Sequence, residues 1–380
     1  MGFGLYLTSG DLMAEIKADK TQWLVEARVE MELSRPTRFA LRFEDDICEG
    51  KHEIADSDVF GKNTKVGLFV QLDAAVECLV FGPIAKIRSS SMLGGPGSWV
   101  EFHGEDRRIE MGRAGVQATY AGRSSLAVAG ILRAYGFTPD VQDTLIEYDK
   151  QKNQLTQSSA DLAFVEDVAR RNNMEFWISY EATASPAGGV AKLTETANLR
   201  TSPERSQPGD VPKIATLIPE GGKVLRVNSP AGKCPNVTKF DARINFEKPT
   251  AASGFVMSGT KEKEVVAQIV SDATLVDPGR VVPVDGVKRE AIAPPQITKD
   301  EAFLAQDAIV TEQSWFVEVD CSATLEQLDF IVRPHQIVRV ENAGPGLSGA
   351  YQVMKATHVV TSTDHFMDFT IRANGLGGAD

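Results

Sequence analysis

Apolar residues recur at every second position through residues 21–110, the spacing that turns one face of a β-strand toward a core. Trp23, Val25, Ala27, Val29 and Met31 alternate with Glu26, Arg28 and Glu30, and Leu24 alone interrupts the pattern. After a break at Ser34-Arg35-Pro36, Phe39, Leu41 and Phe43 repeat it, with Arg38 and Arg42 on the opposite face. Further strands are predicted at 66–72, 76–87 and 99–103. Gly82-Pro83 inside the second of these predicts a bulge or bend, and 93–98 reads as a Gly-rich turn. Such a series predicts a small barrel or sandwich.

The period changes near residue 123. Ser124 or Ser125 is placed to cap a helix running through Leu126, Ala129, Leu132 and Arg133, with Gly136 as its stop. Residues 137–139 read as a turn and 144–148 as a short strand. In residues 158–180 Ser158 is the expected N-cap, with Asp161 three positions on and suited to the positive end of the helix. Leu162, Phe164, Val165, Val168 and Ala169 form one helical face, while Glu166, Asp167, Arg170 and Arg171 form the other. Asn172 and Asn173 offer a left-handed stop, and Phe176, Trp177 and Ile178 begin a strand.

Residues 181–212, rich in Ala, Gly, Ser, Thr and Pro, read as a loop or linker. Strands return at 214–218, 224–227 and 237–246. The last alternates Phe240, Ala242, Ile244 and Phe246 against Lys239, Asp241, Arg243 and Asn245. In the mixed stretch 247–311, residues 261–271 and 299–311 read as helical and 275–284 is punctuated by Pro and Gly. Strands at 315–323, 336–341, 351–360 and 367–372 close the chain, and 373–380 is expected to fray. The fold class is therefore α+β and mostly β, with two β-rich regions, an inserted α/β module and a second mixed insertion.

At 380 residues the chain is long enough for two to four domains. Its formal charge of −12 argues against a general binder of nucleic acid or anionic membrane. Cys48, Cys78, Cys234 and Cys321 are widely spaced, without a C-x-x-C pair, so reduced thiols are expected rather than zinc ligands or a disulfide framework. The first twenty residues lack the pattern of a signal peptide, and no stretch approaches the length of a membrane helix.

Two blocks in order resemble the hub proteins of contractile phage tails and related injection machines, a family that includes the late control protein D and the N-terminal part of VgrG. In that family a Ser-Asp-x-x-Phe-aliphatic start leads through an Arg-containing helix to an aromatic strand. Asp161, Phe164 and Val165 match that start, with Ala160 in place of the family's Ser, and Arg171, Phe176 and Trp177 follow. The second block is Arg333-Pro334, the 337–340 strand, the Gly-rich hairpin ending at Gly349, Tyr351, Val353 and His358. There His335 stands where the family more often has Gly. The resemblance implies two tail-tube-like β-barrel domains, residues 1–115 and 213–246 with 312–375. Between them it places the α/β module at 116–185, a linker at 186–212 and the insertion at 247–311. It also implies a homotrimer whose six barrels match a sixfold inner tube above and a threefold spike below. The chain stops after the second barrel, so the spike is expected to be a separate protein. Expected partners are the inner tube protein, that spike and other baseplate proteins. Synthesis in a bacterial cytoplasm and assembly into a phage tail or tail-like particle follow from the same resemblance. It implies no cofactor, no nucleic-acid specificity and no membrane anchor.

Residues with catalytic potential are dispersed. His358 and His365 lie seven apart beside Asp364, and His52 and His103 lie near Glu53 and Glu105 without a third partner. Zinc sites use closer ligand pairs, so structural roles are expected. Gly346-Leu347-Ser348-Gly349 is one residue short of a nucleophile elbow and precedes a strand rather than a helix. Gly94-Gly95-Pro96-Gly97 lacks the Lys-Ser/Thr of a phosphate loop. Glu44-Asp45-Asp46 and Asp56/Asp58 read as solvated loop charges, although paired carboxylates are also the tools of a glycosidase. A wall-degrading hydrolase and a carbohydrate- or receptor-binding β-protein are the alternative readings. Neither has a motif of its own.

Overall fold

In the computed structural model, the described residues are 4–45, 47–48, 51–72, 75–92, 97–149, 151, 154–185, 190–202, 221–228, 234–249, 251–257, 263–270, 287, 289–294, 299–313, 315–344 and 346–376. The first β region supplies β1 (Gly4–Ser9), β2 (Leu24–Glu32), β3 (Arg38–Glu44), β4 (Lys65–Leu72), β5 (Ala75–Ser90) and β6 (Trp99–Glu105). The α/β module contains α1 (Ser124–Ala134), β7 (Thr138–Val141), α2 (Asp161–Arg171), β8 (Glu175–Ala184) and β9 (Val190–Arg200). After β10 (Val224–Arg226) and β11 (Lys239–Ile244), the insertion carries β12 (Ala251–Met257), β13 (Lys263–Val270), β14 (Glu290–Ile292) and α3 (Lys299–Gln313). β15 (Val317–Thr324), β16 (Ile337–Glu341), β17 (Gly349–Val360) and β18 (His365–Ala373) complete the second β region.

The two β regions share one sheet. Its hydrogen-bonded order is β11-β15-β18-β17-β2-β3-β6-β5-β4-β1, with β16 beside the start of β17 on the edge that β2 takes further along, and β10 beside β16. The ladder is open, and among the described residues no set of strands closes into a ring. Within it the same arrangement occurs twice. The first region runs β2-β3-β6-β5-β4-β1 in space and the second β11-β15-β18-β17-β16-β10, and each set follows the same order along the chain. Only the last pairing differs in sense: β1 is antiparallel to β4, whereas β10 is parallel to β16.

β5 and β17 are the corresponding long strands, and each changes its surroundings at a bulge. β5 pairs with β4 as far as Pro83 and then continues along β6, with a register shift between Ile84 and Lys86. β17 pairs with β16 as far as Gln352 and continues along β18, with a shift between Val353 and Lys355. The expected irregularity at Gly82-Pro83 is thus a change of partner within one strand. Gly82 is required there because a Cβ would overlap the carbonyl oxygen of Glu105.

Alternation places the core on one face. Ala27, Val29, Met31, Phe39, Leu41, Phe43, Val100 and Phe102 from the first set are buried with Val317, Val319, Cys321, Met367, Phe369 and Ile371 from the second. Both sets therefore contribute to a single apolar cluster. Trp23 and Val25 depart from the expected face and are exposed. A bulge at Val25 shifts the register between Leu24 and Glu26, so Leu24, the apparent interruption, is the residue that packs on the core.

Three other expectations are corrected. Residues 190–200, read as linker, form β9, which pairs with β8 along its length and in parallel with β7. Thr138-Pro139 belongs to β7 rather than to a turn. Residues 263–270, read as helical, form β13, antiparallel to β12. Val265, Val266, Ile269 and Val270 satisfy helical spacing, but β-branching favours the extended chain once a partner strand is present. Helix α3 does form and packs on β12 through Val310 and Phe303. The strand expected at 214–218, the punctuated stretch 275–284, most of the Gly-rich turn and the last four residues lie outside the described residues.

The close approach at Gly82 is directly testable. Gly82→Ala is expected to destabilise the protein by about 1–3 kcal/mol through overpacking. Gly130→Ala, in the interior of α1 with open space around it, is expected to stabilise it by about 0.5–1 kcal/mol. Urea denaturation of the two variants checks both signs.

Candidate functional site

The α/β module is fastened to the shared sheet at a buried polar junction. Asp106, just after β6, begins it. Its carboxylate accepts from the backbone N–H of Thr37 at 2.7 Å and from that of Arg108 at 3.0 Å. The Arg108 guanidinium grips the same carboxylate, with Nη2 2.6 Å from Oδ2. Its remaining donors reach the carbonyl oxygens of Phe176 on β8 and Arg35 in the β2–β3 turn, both at 2.8 Å. Arg108 is 2% exposed. Burial alone would depress its pKa, and the adjacent Asp106 more than offsets this, so its charge is held. Arg107 points the other way, bonding Glu195 of β9 at 2.6 Å and the carbonyl oxygen of Tyr135 at 2.7 Å.

The second β region meets the module at His335. This residue has φ of 73°, a left-handed conformation that favours glycine. The imidazole offsets the strain by stacking on Trp177 with ring centroids 3.8 Å apart and by bonding Ser202 Oγ at 2.8 Å. Gln352 Nε2 donates to the same hydroxyl at 2.8 Å, and Arg372 Nε donates to Gln352 Oε1 at 3.0 Å. Arg333 crosses to the first region, where Nη2 is 2.9 Å from both Glu77 Oε2 and the carbonyl oxygen of Cys78. A cavity of about 250 Å³ lies among Arg35, Arg108, Trp177, Tyr180, Arg333 and His335. A second, of about 500 Å³, lies between the module and α3.

These contacts place the motif residues. Asp161, Phe164 and Val165 belong to the module's core side: Asp161 accepts from Tyr135 Oη at 2.8 Å, Phe164 stacks on Tyr120, and Val165 is fully buried. Ser158 is exposed and does not cap α2. The helix begins at Asp161 with Ala160 in the cap position and no side-chain cap bond. Arg171 is exposed and pairs with Asp167 at 2.7 Å. Phe176 lies under Arg108 and Trp177 against His335. Pro334 lines the smaller cavity. Gly349 has φ of 133°, the Tyr351 hydroxyl donates to the carbonyl oxygen of Leu347 at 2.7 Å, and Val353 is buried. The two blocks are thus brought together through Trp177 and His335, while Ser158 and Arg171 stand apart. Arg333 was read only as part of the Arg333-Pro334 turn; sequence reading missed Asp106 and Arg108. Charges within otherwise apolar or turn-like stretches were their only signal.

His358 and His365 face each other across the β17–β18 hairpin, Nδ1 to Nε2 at 2.9 Å, and His358 Nε2 is 2.9 Å from the carbonyl oxygen of Val332. Burial, the other histidine and Arg333 push His358 well below the ordinary imidazole range. Burial lowers His365 to about 4. His335 is lowered to about 3 by burial, with Arg108 and Arg372 adding to the shift. Asp45, expected in solvent, is buried instead and accepts from the backbone N–H groups of Ile54 and Ala55 at 3.1 and 2.9 Å. Asp46 lies outside the described residues. Among the described residues no group of three or more His, Cys, Asp or Glu is arranged to hold a metal. Most of the junction's polar atoms named above join elements, while Arg333 Nε and Glu195 Oε1 are buried without a hydrogen-bond partner among the described residues.

No family model matches the chain, and no curated protein sequence does. Solved structures share its fold. The 43 kDa tail protein of prophage MuSo2 from Shewanella oneidensis aligns with a TM-score of 0.62 at 10% identity, covering 97% of this chain and 98% of that one. A tail protein from Neisseria meningitidis aligns at 0.60 and 12% identity, covering 99% and 98%. An E. coli component of the type VI secretion system, structurally similar to the T4 tail proteins gp27 and gp5, aligns at 0.52 and 13%, covering 94% and 76%. The chain has the fold of phage tail proteins.

Two outcomes follow from the junction. Arg108→Ala leaves the Asp106 carboxylate buried without its partner, and a loss of about 3–5 kcal/mol is expected in urea denaturation. The histidines set a pH dependence. In the unfolded chain they take up protons as pH falls through about 6.5, whereas in the folded protein they do so only at lower pH. Their contribution is therefore intact above pH 7 and is lost as pH falls, by up to about 1.4 kcal/mol per pH unit for each histidine. The melting temperature is expected to fall between pH 7 and pH 5, and less steeply in His365→Asn.

Proposed function

We propose that the chain is a structural baseplate hub of a contractile tail or tail-like injection particle, in which three copies adapt a sixfold inner tube to a threefold spike. The observation that carries this reading is the duplicated strand order within one sheet. A chain that presents the same six-strand arrangement twice offers two equivalent faces, and three such chains offer six. The tail-protein fold and the family-like blocks point the same way. In this reading residues 1–115 and 213–246 with 312–375 are the two tube-like units. The α/β module, extended through β9 to residue 200, and the insertion at 247–311 brace the two units. The motif residues, from Asp161 and Phe164 to Tyr351 and His358, act by holding the units in fixed relation rather than by chemistry.

The partners are the inner tube protein, a spike and other baseplate proteins. Among the described residues no helix is long and apolar enough to cross a membrane. The function requires no cofactor and no reaction. The test is mass in solution. Analytical ultracentrifugation of the purified chain is expected to give a trimer that binds its tube protein. A chain that remains monomeric in the presence of both tube and spike proteins contradicts the reading.

A further inference from the structure

The internal repeat contains a junction between its two sets, and it leaves the two halves of a second such junction open. Within the chain, residues 355–360 of β17 pair antiparallel with residues 27–32 of β2, with Ala356 opposite Met31 and His358 opposite Val29. The counterpart of that part of β17 is the end of β5, and the counterpart of β2 is β11. Residues 85–89 of β5 are exposed and, among the described residues, have a strand partner only on the β6 side. Among the described residues, β11 is the terminal strand of the sheet and pairs only with β15.

The registers fix which residues correspond. Ile87 stands opposite Phe102 of β6 as Ala356 stands opposite Phe369 of β18. Leu41 and Cys321 lie next across the sheet, opposite Phe102 and Phe369, and beyond them Ala27 corresponds to Phe240. Counting along the strands, Val29 corresponds to Ala242 and Met31 to Ile244. Ala356 opposite Met31 inside the chain therefore maps to Ile87 opposite Ile244, and His358 opposite Val29 maps to Ser89 opposite Ala242.

Ile87 and Ile244 are 45% and 39% exposed, whereas Ala356 and Met31 are buried. Both isoleucines sit on the core-facing side of the sheet, opposite buried Phe102 and Val317, and are exposed because their edges are open. The matched stretches carry neither of two common guards of a free edge, a proline or an inward-facing charge. The outward residues at this junction include Arg88 and Arg243, which would be neighbours. Each already has a carboxylate of its own, Glu101 at 3.7 Å and Asp320 at 2.7 Å.

We infer that residues 86–90 of β5 in one copy pair antiparallel with β11 of a second copy, with Ile87 opposite Ile244, repeating between chains the β17–β2 junction within each chain. The contact is head to tail, so it propagates until a ring closes. The ring size of three rests on the hub reading above. Each copy contributes eight strands from β11 to β5, and three copies give a continuous sheet of twenty-four.

The test is a directed cross-link in the full-length chain, with Cys48 and Cys234 replaced by serine. Ile87→Cys/Ile244→Cys under mild oxidation is expected to give disulfide-linked dimers and trimers on a non-reducing gel, and neither single-cysteine variant is expected to do so. Ile244→Asp, with folding verified by circular dichroism, is expected to raise the concentration for half-assembly by roughly tenfold or more. A trimer that forms no 87–244 cross-link and is unaffected by Ile244→Asp overturns this interface and leaves the hub reading standing. A wild-type chain that is monomeric even with tube and spike proteins overturns both.

Discussion

The antiparallel pairing of residues 27–32 with 355–360 is the contact on which the rest depends. It joins strands more than three hundred positions apart and turns two sheets into one. Ordering so long a separation has an entropic cost that grows only slowly with length. The cluster it completes, from Ala27, Val29 and Met31 to Ala356 and Val360, adds apolar burial on one face. Without it the two regions would be joined only through the α/β module and side-chain contacts such as Arg333 with Glu77. With it, the relative position of the two repeats is fixed by hydrogen-bond register, as the proposed adaptor role requires.

The α/β module braces this arrangement. Arg108 ties β8 and the β2–β3 turn to Asp106, and Arg333 ties the second region to β5. His335 occupies a backbone conformation that costs energy and recovers part of it by stacking on Trp177. These residues are buried and charged or strained, the signature often read as catalysis. Here the guanidinium groups of Arg108 and Arg333 reach backbone carbonyls and carboxylates that tie elements together, which fits mechanical fixation, although Arg333 Nε is buried without a hydrogen-bond partner among the described residues.

Much of the local structure was legible. Alternation marked β2, β3 and β6, and the apolar face of α2 is the face that is buried. What failed had physical causes. A bulge at Val25 reversed the parity of the strand's first residues, which no composition signals. β9, VAKLTETANLR, looked like a linker because its small polar residues become a strand only when β8 and β7 supply partners. β13 fitted two periodicities equally. Ser158 had the right chemistry for a cap but lay two residues too early. The site was legible as two separate blocks. Their meeting at Trp177 and His335, and the repeat of strand order, arise from long-range pairing that leaves no local pattern.

The most direct test of the account is a cryo-electron microscopy image of the purified chain, averaged down its symmetry axis. The account predicts a threefold ring with six similar lobes at its rim, two from each chain. A particle lacking threefold symmetry, or a trimer whose rim shows only three lobes, would contradict it.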